Sequence, residues 1–230
     1  MNLCKKLISI KKKIEIAQKK SIYKTPVKII AVTKTHPFSF IEESYKSNIC
    51  SIGENKIQEA ERKFKSFGQM PLLERRFIGH LQSNKVRKCL SLFDTIDTID
   101  SYKIANKVSK IAKETNREIK GLIEINTSGE SQKKGFLPTE IENIQKCLNL
   151  PNLKIVGLMT IGPNTKNIKK IKNSFKSLRK LKDLINSKNK NNNNLSELSM
   201  GMSGDYEVAI EEGSTMIRLG TALFGVRGSL

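Results

Sequence analysis

Apolar residues recur along this chain in two alternating rhythms. Leu3, Leu7, Ile10 and Ile14 fall every three or four positions, which predicts an amphipathic helix over 2–20. The short apolar run 27–33 then predicts a strand, and Pro37, suited to a first helical turn, predicts a helix after it. The alternation continues to the end of the chain. Strands are predicted at 49–53, 75–78, 93–98, 119–125, 154–158, 196–199 and 214–218. Helices are predicted from Lys56, from Ser83, from the Ser101 cap, from Pro138, over a long basic stretch after strand 6, from Ser203 and from Thr221. Ile104, Val108, Ile111 and Ala112 share one face of the fifth helix, and Ile141, Ile144 and Leu148 point inward from the next.

Strands that alternate with helices imply βαβ units and a parallel sheet. Eight such units in 230 residues fit a closed (β/α)8 TIM barrel with an extra N-terminal helix, spanning 1–230 as one domain. A flavodoxin-like or Rossmann sheet is the alternative, but no Gly-x-Gly-x-x-Gly follows the first strand. The tract 186–194, with four consecutive asparagines, reads as a flexible surface loop between helix and strand.

Charge changes this picture little. The net charge of +20 is carried almost entirely by Lys, in a chain rich in Asn and Ile and lacking Trp, as an AT-rich coding sequence produces. The densest stretch, 166–190, holds ten Lys/Arg and one acid, but Ile168, Ile171, Phe175, Leu178, Leu181 and Leu184 keep helical spacing through it. It reads as the solvated face of a packed helix. Few aromatics interleave with the lysines, so no stacking platform for single strands is expected, and no specific nucleic-acid partner. Any nucleic-acid binding should be sequence-indifferent and should collapse with salt. No run of 18 apolar residues is present and the N-terminus is amphipathic, so neither a membrane span nor a signal peptide is expected. Cys4, Cys50, Cys89 and Cys147 are scattered without a Cys-x-x-Cys pair, and only His36 and His80 could join them. No metal site is expected, and the reducing cytoplasm is the expected compartment.

The chemistry gathers at strand ends. Ser203, in Gly201-Met-Ser203-Gly-Asp205, opens the helix after strand 7. Gly220-Thr221 opens the helix after strand 8. Two strand-to-helix turns of this kind late in a barrel form a phosphate cradle. Gly201-Met-Ser203-Gly204-Asp205 also approaches a nucleophile elbow, but Asp stands where the last Gly should be and no His partner is evident. Lys34 ends strand 1, which neighbours strand 8 in a closed barrel, so its amine can face that phosphate. Taken alone it is one lysine among many; the opposing cradle singles it out for pyridoxal 5′-phosphate held as a Schiff base. Arg218, ending strand 8, would keep a pyridine nitrogen beside it unprotonated. Asn55 and His80 stand at the ends of strands 2 and 3, and Lys133 lies in the loop after strand 5 as a surface lysine by default.

In order and spacing these segments resemble the YggS/PROSC family of pyridoxal-phosphate-binding proteins, also called pyridoxal phosphate homeostasis proteins. The resemblance rests on Ala31-Val-Thr-Lys34-Thr, Gly53-Glu-Asn55, Phe77-Ile-Gly-His-Leu-Gln-Ser-Asn-Lys85, Thr95-Ile-Asp and Gly157-Leu-Met159. It continues through Leu198-Ser-Met-Gly-Met-Ser-Gly-Asp205 and Arg218-Leu-Gly-Thr-Ala-Leu-Phe-Gly225. It implies the barrel of the alanine racemase N-terminal domain, cofactor on Lys34, and phosphate contacts from Ser203, Gly220 and Thr221. It also implies Arg218 near the ring nitrogen, and Asn55, Met159 and Ser199 lining the pocket. The resemblance further implies a monomeric carrier in vitamin B6 homeostasis, with apo forms of pyridoxal-phosphate enzymes as receiving partners. The Lys133 loop resembles a stretch suggested as a second, weaker site. The rival class is a racemase-like enzyme. That chemistry needs a second proton donor, which related racemases bring on a further domain for which this sequence shows no segment.

Overall fold

In a computed structural model, which describes residues 3–65, 70–188 and 194–225, the chain forms an eight-stranded parallel barrel closed in the order β1 to β8. The strands are β1 (Lys28–Val32), β2 (Ser51–Glu54), β3 (Glu74–Phe77), β4 (Thr95–Ile99), β5 (Ile119–Glu124), β6 (Leu153–Met159), β7 (Glu197–Met202) and β8 (Met216–Leu219). The helices are α1 (Leu3–Lys20), α2 (Ser39–Lys46), α3 (Ile57–Phe64), α4 (Val86–Leu92), α5 (Tyr102–Glu114), α6 (Ile141–Leu148), α7 (Ile168–Lys188), α8 (Tyr206–Glu211) and α9 (Thr221–Phe224). Among the described residues no helix is long and apolar enough to cross a membrane.

Most of the core lies between the sheet and its ring of helices. α1 buries Leu3, Leu7, Ile10, Ile14 and Ala17, the stripe its sequence spacing lays on one face, and packs on α8 and α9. Each of the buried Leu and Ile side chains contributes about 1.5–3 kcal/mol. Ser101 caps α5 by accepting a hydrogen bond from the Ile104 N–H at 3.3 Å. A second, smaller apolar cluster plugs the barrel itself, with Ile30, Leu122, Met159 and Met216 converging from four strands. Four charged residues of the strands, Arg76, Asp97, Glu124 and Arg218, are also buried.

Several helices start later than expected. Ser83 opens a 3-10 turn over Ser83–Lys85 rather than the α-helix itself. Pro138 sits in a turn, closed by the Leu137 N–H on Glu140 Oε2 at 2.8 Å, and α6 begins at Ile141. Ser203 precedes α8 by three residues. Of the asparagine tract, residues 189–193 lie outside the described residues. Asn186 ties the end of α7 to the approach of β7 through hydrogen bonds with both backbone polar groups of Leu195.

The pairing of β1 with β8 sets the mouth of the barrel. Ala31 stands opposite Leu219, so the turn carrying Lys34 and the turn carrying Gly220 emerge side by side. β7 joins β8 with Met202 opposite Arg218 after an irregularity at Gly201 (φ +97°), which brings the Ser203 loop to the same rim.

Candidate functional site

A cavity of about 350 Å³ opens at the C-terminal ends of the strands. Its walls include Val32, Lys34, Ile78, Asp97, Met159, Ser203, Gly204, Arg218, Gly220 and Thr221. The structure thus brings Lys34, Met159, Ser203, Arg218, Gly220 and Thr221 onto one surface. Ser199 stands behind that wall, and Asn55 beside it at the end of β2.

The Ser203 loop is shaped by Asp205, whose Oδ1 accepts from the Met202 N–H at 2.6 Å. Ser203 does not cap its own helix. Its Oγ accepts from the Ala222 N–H at 3.0 Å, so it caps α9 across the gap between the two turns. A hydroxyl that accepts one bond still has its O–H to donate. With α9 only four residues long, the cradle offers hydroxyls and backbone N–H groups rather than a long helix dipole. Two glycines test whether the space is meant for a ligand. A Cβ at Gly204 would meet nothing within 4 Å, and one at Gly220 would come no closer than 3.6 Å to Val32. The fold does not need either glycine for packing, and both line the cavity. That suits close approach of a backbone to an anion.

Arg218 is buried and locked in place. Nη1 donates to the Ser199 carbonyl (2.8 Å) and Ser199 Oγ (2.7 Å), and Nη2 donates to the Thr160 carbonyl (2.8 Å). Burial pulls its pKa below the ordinary arginine value, while Asp97, Asp205 and Glu124 pull the other way; an arginine stays protonated under such opposing influences. Asp97, the acid that reaches the cavity wall, is itself held by Arg76. The Arg76 Nε lies 2.9 and 3.1 Å from its two oxygens, and Arg76 Nη1 donates to Glu74 Oε2 at 2.7 Å. These acids push the Arg76 pKa above its usual range against the burial. Removing one partner of such a pair strands the other in the interior. Arg76→Met should therefore lower unfolding stability by about 3–5 kcal/mol, measured by urea denaturation; a change under about 1 kcal/mol would mean water compensates Asp97.

The residues on either side of Lys34 are clamped. Thr33 Oγ1 donates to Glu54 Oε1 at 2.7 Å, and Lys63 Nζ donates both to the Thr33 carbonyl (2.8 Å) and to Glu54 Oε1 (2.7 Å). The Thr35 N–H donates to Glu59 Oε1, which also pairs with Lys63 at 2.7 Å. This clamp holds Thr35 in the left-handed region (φ +66°), an unfavoured conformation for a β-branched residue. Burial raises the Glu54 pKa, and among the described residues its second oxygen has no partner. Asn55 Oδ1 is also buried without a partner among the described residues. The Asn55 backbone runs so close to Gly79 that a Cβ there would sit 2.1 Å from the Asn55 carbonyl oxygen.

Sequence reasoning missed Glu54, Glu59, Lys63, Arg76, Asp97 and Glu124. For Glu54, Arg76, Asp97 and Glu124 the available signal was a polar residue inside an otherwise apolar strand, while Glu59 and Lys63 lie on α3 and carried no such signal. Lys133 is held by Glu130 Oε1 (2.8 Å) and the Gly162 carbonyl (2.8 Å), away from the Lys34 cavity. His80 pairs with Asp100 through Nδ1 at 3.0 Å.

Comparison with known proteins adds to this geometry. The family model of the alanine racemase N-terminal domain matches residues 6–228. The pyridoxal phosphate homeostasis protein of Synechocystis sp. is 41% identical over 202 residues, covering 87% of this chain and 92% of that one. Its counterpart in Aquifex aeolicus is 37% identical over 229 residues, covering 99% of both. Among solved structures, PipY of Synechococcus elongatus PCC7942 with PLP bound superposes with a TM-score of 0.84 at 32% identity. That match covers 97% of this chain and all of PipY.

Proposed function

Since this chain belongs to the alanine racemase N-terminal domain family, and within it to the pyridoxal phosphate homeostasis proteins, we propose that it binds pyridoxal 5′-phosphate covalently through Lys34 and serves as a carrier in vitamin B6 homeostasis. One observation carries the reading. Lys34 and the Ser203-Gly204 and Gly220-Thr221 turns line a single cavity, with Arg218 buried in its wall.

On this reading Ser203 and Thr221 hold the phosphate through their hydroxyls, and the two glycines let the backbone approach it. Met159 supplies an apolar wall, Asn55 an unmatched acceptor, and Ser199 fixes Arg218. When bound, the cofactor supplies an electrophilic aldehyde and an electron-withdrawing ring. Arg218 sets how strongly that ring withdraws. It cannot take a proton, so it leaves a neighbouring pyridine nitrogen neutral, where a carboxylate would keep it charged. That favours storage of the cofactor over fast carbanion chemistry. The same proposal places the protein in the cytoplasm as a monomer that passes cofactor to apo-enzymes.

The test is incubation of the cofactor-loaded protein with L-alanine and other L-amino acids in deuterated water, following α-deuteration and chirality. Slow exchange with no efficient racemisation is expected. Turnover on the order of 1 per second or faster, an ordinary enzymatic rate, would make the racemase-like reading the right one.

A further inference from the structure

A second, smaller cavity of about 220 Å³ adjoins the first, sharing the side chains of Ile78 and Ile161 as its walls. We propose that it is a binding subsite for a free α-amino acid, with the ammonium on the Glu124 carboxylate and the carboxylate on Lys134 at the rim. The inference deepens the cofactor reading, since it places an amine donor beside Lys34.

The polar groups of this cavity decide what it can hold. The Thr98 hydroxyl is spent on the Gly79 carbonyl, and the Asn126 side chain on Gly129 N and the Glu130 carbonyl. The Lys133 ammonium is held by Glu130 and Gly162, as above. His80 gives Nδ1 to Asp100. Two groups are left. The Glu124 side chain, at the end of β5 in a residue only 8% exposed, makes no hydrogen bond or ion pair among the described residues, its backbone carbonyl alone accepting from the Phe136 N–H. Lys134, exposed at the opening, likewise makes none among them. Among the described residues the fully buried side-chain oxygens without a partner are Glu54 Oε2 and Asn55 Oδ1, so the Glu124 carboxyl still opens onto the cavity, where a cation can reach and pair with it. One unmatched acid inside and one unmatched cation at the rim are the complement of a zwitterion. A cavity of this size admits a small amino acid rather than a cofactor.

The charges around Glu124 fit this use. Asp100, after β4, repels its negative form, and Arg218, from β8, attracts it from the far side of the barrel. His80, Lys133 and Lys134 stand at the opening. Burial dominates and pushes the Glu124 pKa up to about 7. An arriving ammonium would stabilise the ionised form and expel a proton at neutral pH. Affinity should therefore fall as pH drops below 7, where the carboxyl must first be deprotonated. With the amine in place, an N–H proton can move to a Glu124 oxygen. This leaves a neutral amine and a neutral carboxyl, with no other reactant required.

Calorimetric titration of the cofactor-free protein with L-alanine at pH 7, in two buffers of different ionisation enthalpy, tests this. Saturable binding with proton release is expected. Glu124→Gln, nearly isosteric, should weaken it at least about tenfold and abolish the buffer dependence. Lys134→Met should weaken L-alanine but leave ethylamine unchanged. Absence of saturable binding, or a Glu124→Gln protein that binds equally well, overturns the subsite and leaves the cofactor reading standing.

Discussion

Lys34→Ala protein incubated with pyridoxal 5′-phosphate should show none of the visible absorbance that the parent protein develops, a complete loss rather than a reduction. The aldehyde is attacked by a lysine amine, and Lys34, half-buried in the turn after β1, lines the cavity. The fold should survive the change. Thr33 and Thr35 are held by Glu54, Lys63 and Glu59 through contacts that do not involve the Lys34 side chain. Circular dichroism and a urea melt would confirm an intact barrel. A visible band of parental strength in the folded variant would place the reactive amine elsewhere.

The second large effect concerns the phosphate. Thr221→Val and Ser203→Ala should each cost about 1.5–3 kcal/mol of binding, the value of a hydrogen bond to a charged group, or about 10- to 150-fold in affinity. The double variant should lose far more of its hold on pyridoxal 5′-phosphate than on unphosphorylated pyridoxal. The two substitutions differ in one respect. Ser203 also caps Ala222, so its removal should lower stability by about 1 kcal/mol as well, whereas Thr221→Val should not. Equal weakening toward both ligands would show that these hydroxyls do not read the phosphate.

The architecture was largely legible in the sequence because its signals are local. Strand runs bounded by turn residues located all eight strands, and the 3–4 spacing in α1 and α5 marked the faces those helices bury, whereas in α7 only Ile171, Phe175, Leu178 and Leu181 of the expected stripe are buried, Ile168 and Leu184 being exposed at its ends. The starts of α6 and α8 were less legible. Pro138 and Ser203 carry helix-opening chemistry, yet each serves a loop: Pro138 the turn closed by Glu140, and Ser203 the cap of a different helix. Such cross-element pairings have no local pattern. The same reason hid the clamp on Lys34. Lys63 is nine residues beyond Glu54 on the next helix, and only the β1–β2 pairing brings both to Thr33. Arg76 and Asp97 likewise read as polar interruptions of two strands until the closed barrel sets them face to face. The candidate ligand groups were visible as residues at strand ends. What the sequence could not supply is the shell that fixes them, including Ser199 behind Arg218.

The most direct test of the account is chemical trapping. The parent protein is loaded with pyridoxal 5′-phosphate, reduced with borohydride, digested and mapped by mass. The account predicts the reduced cofactor on the peptide containing Lys34 and an unmodified Lys133, whose ammonium is already held by Glu130 Oε1 and the Gly162 carbonyl. Label on Lys133 or scattered over surface lysines, with Lys34 unmodified, would contradict it.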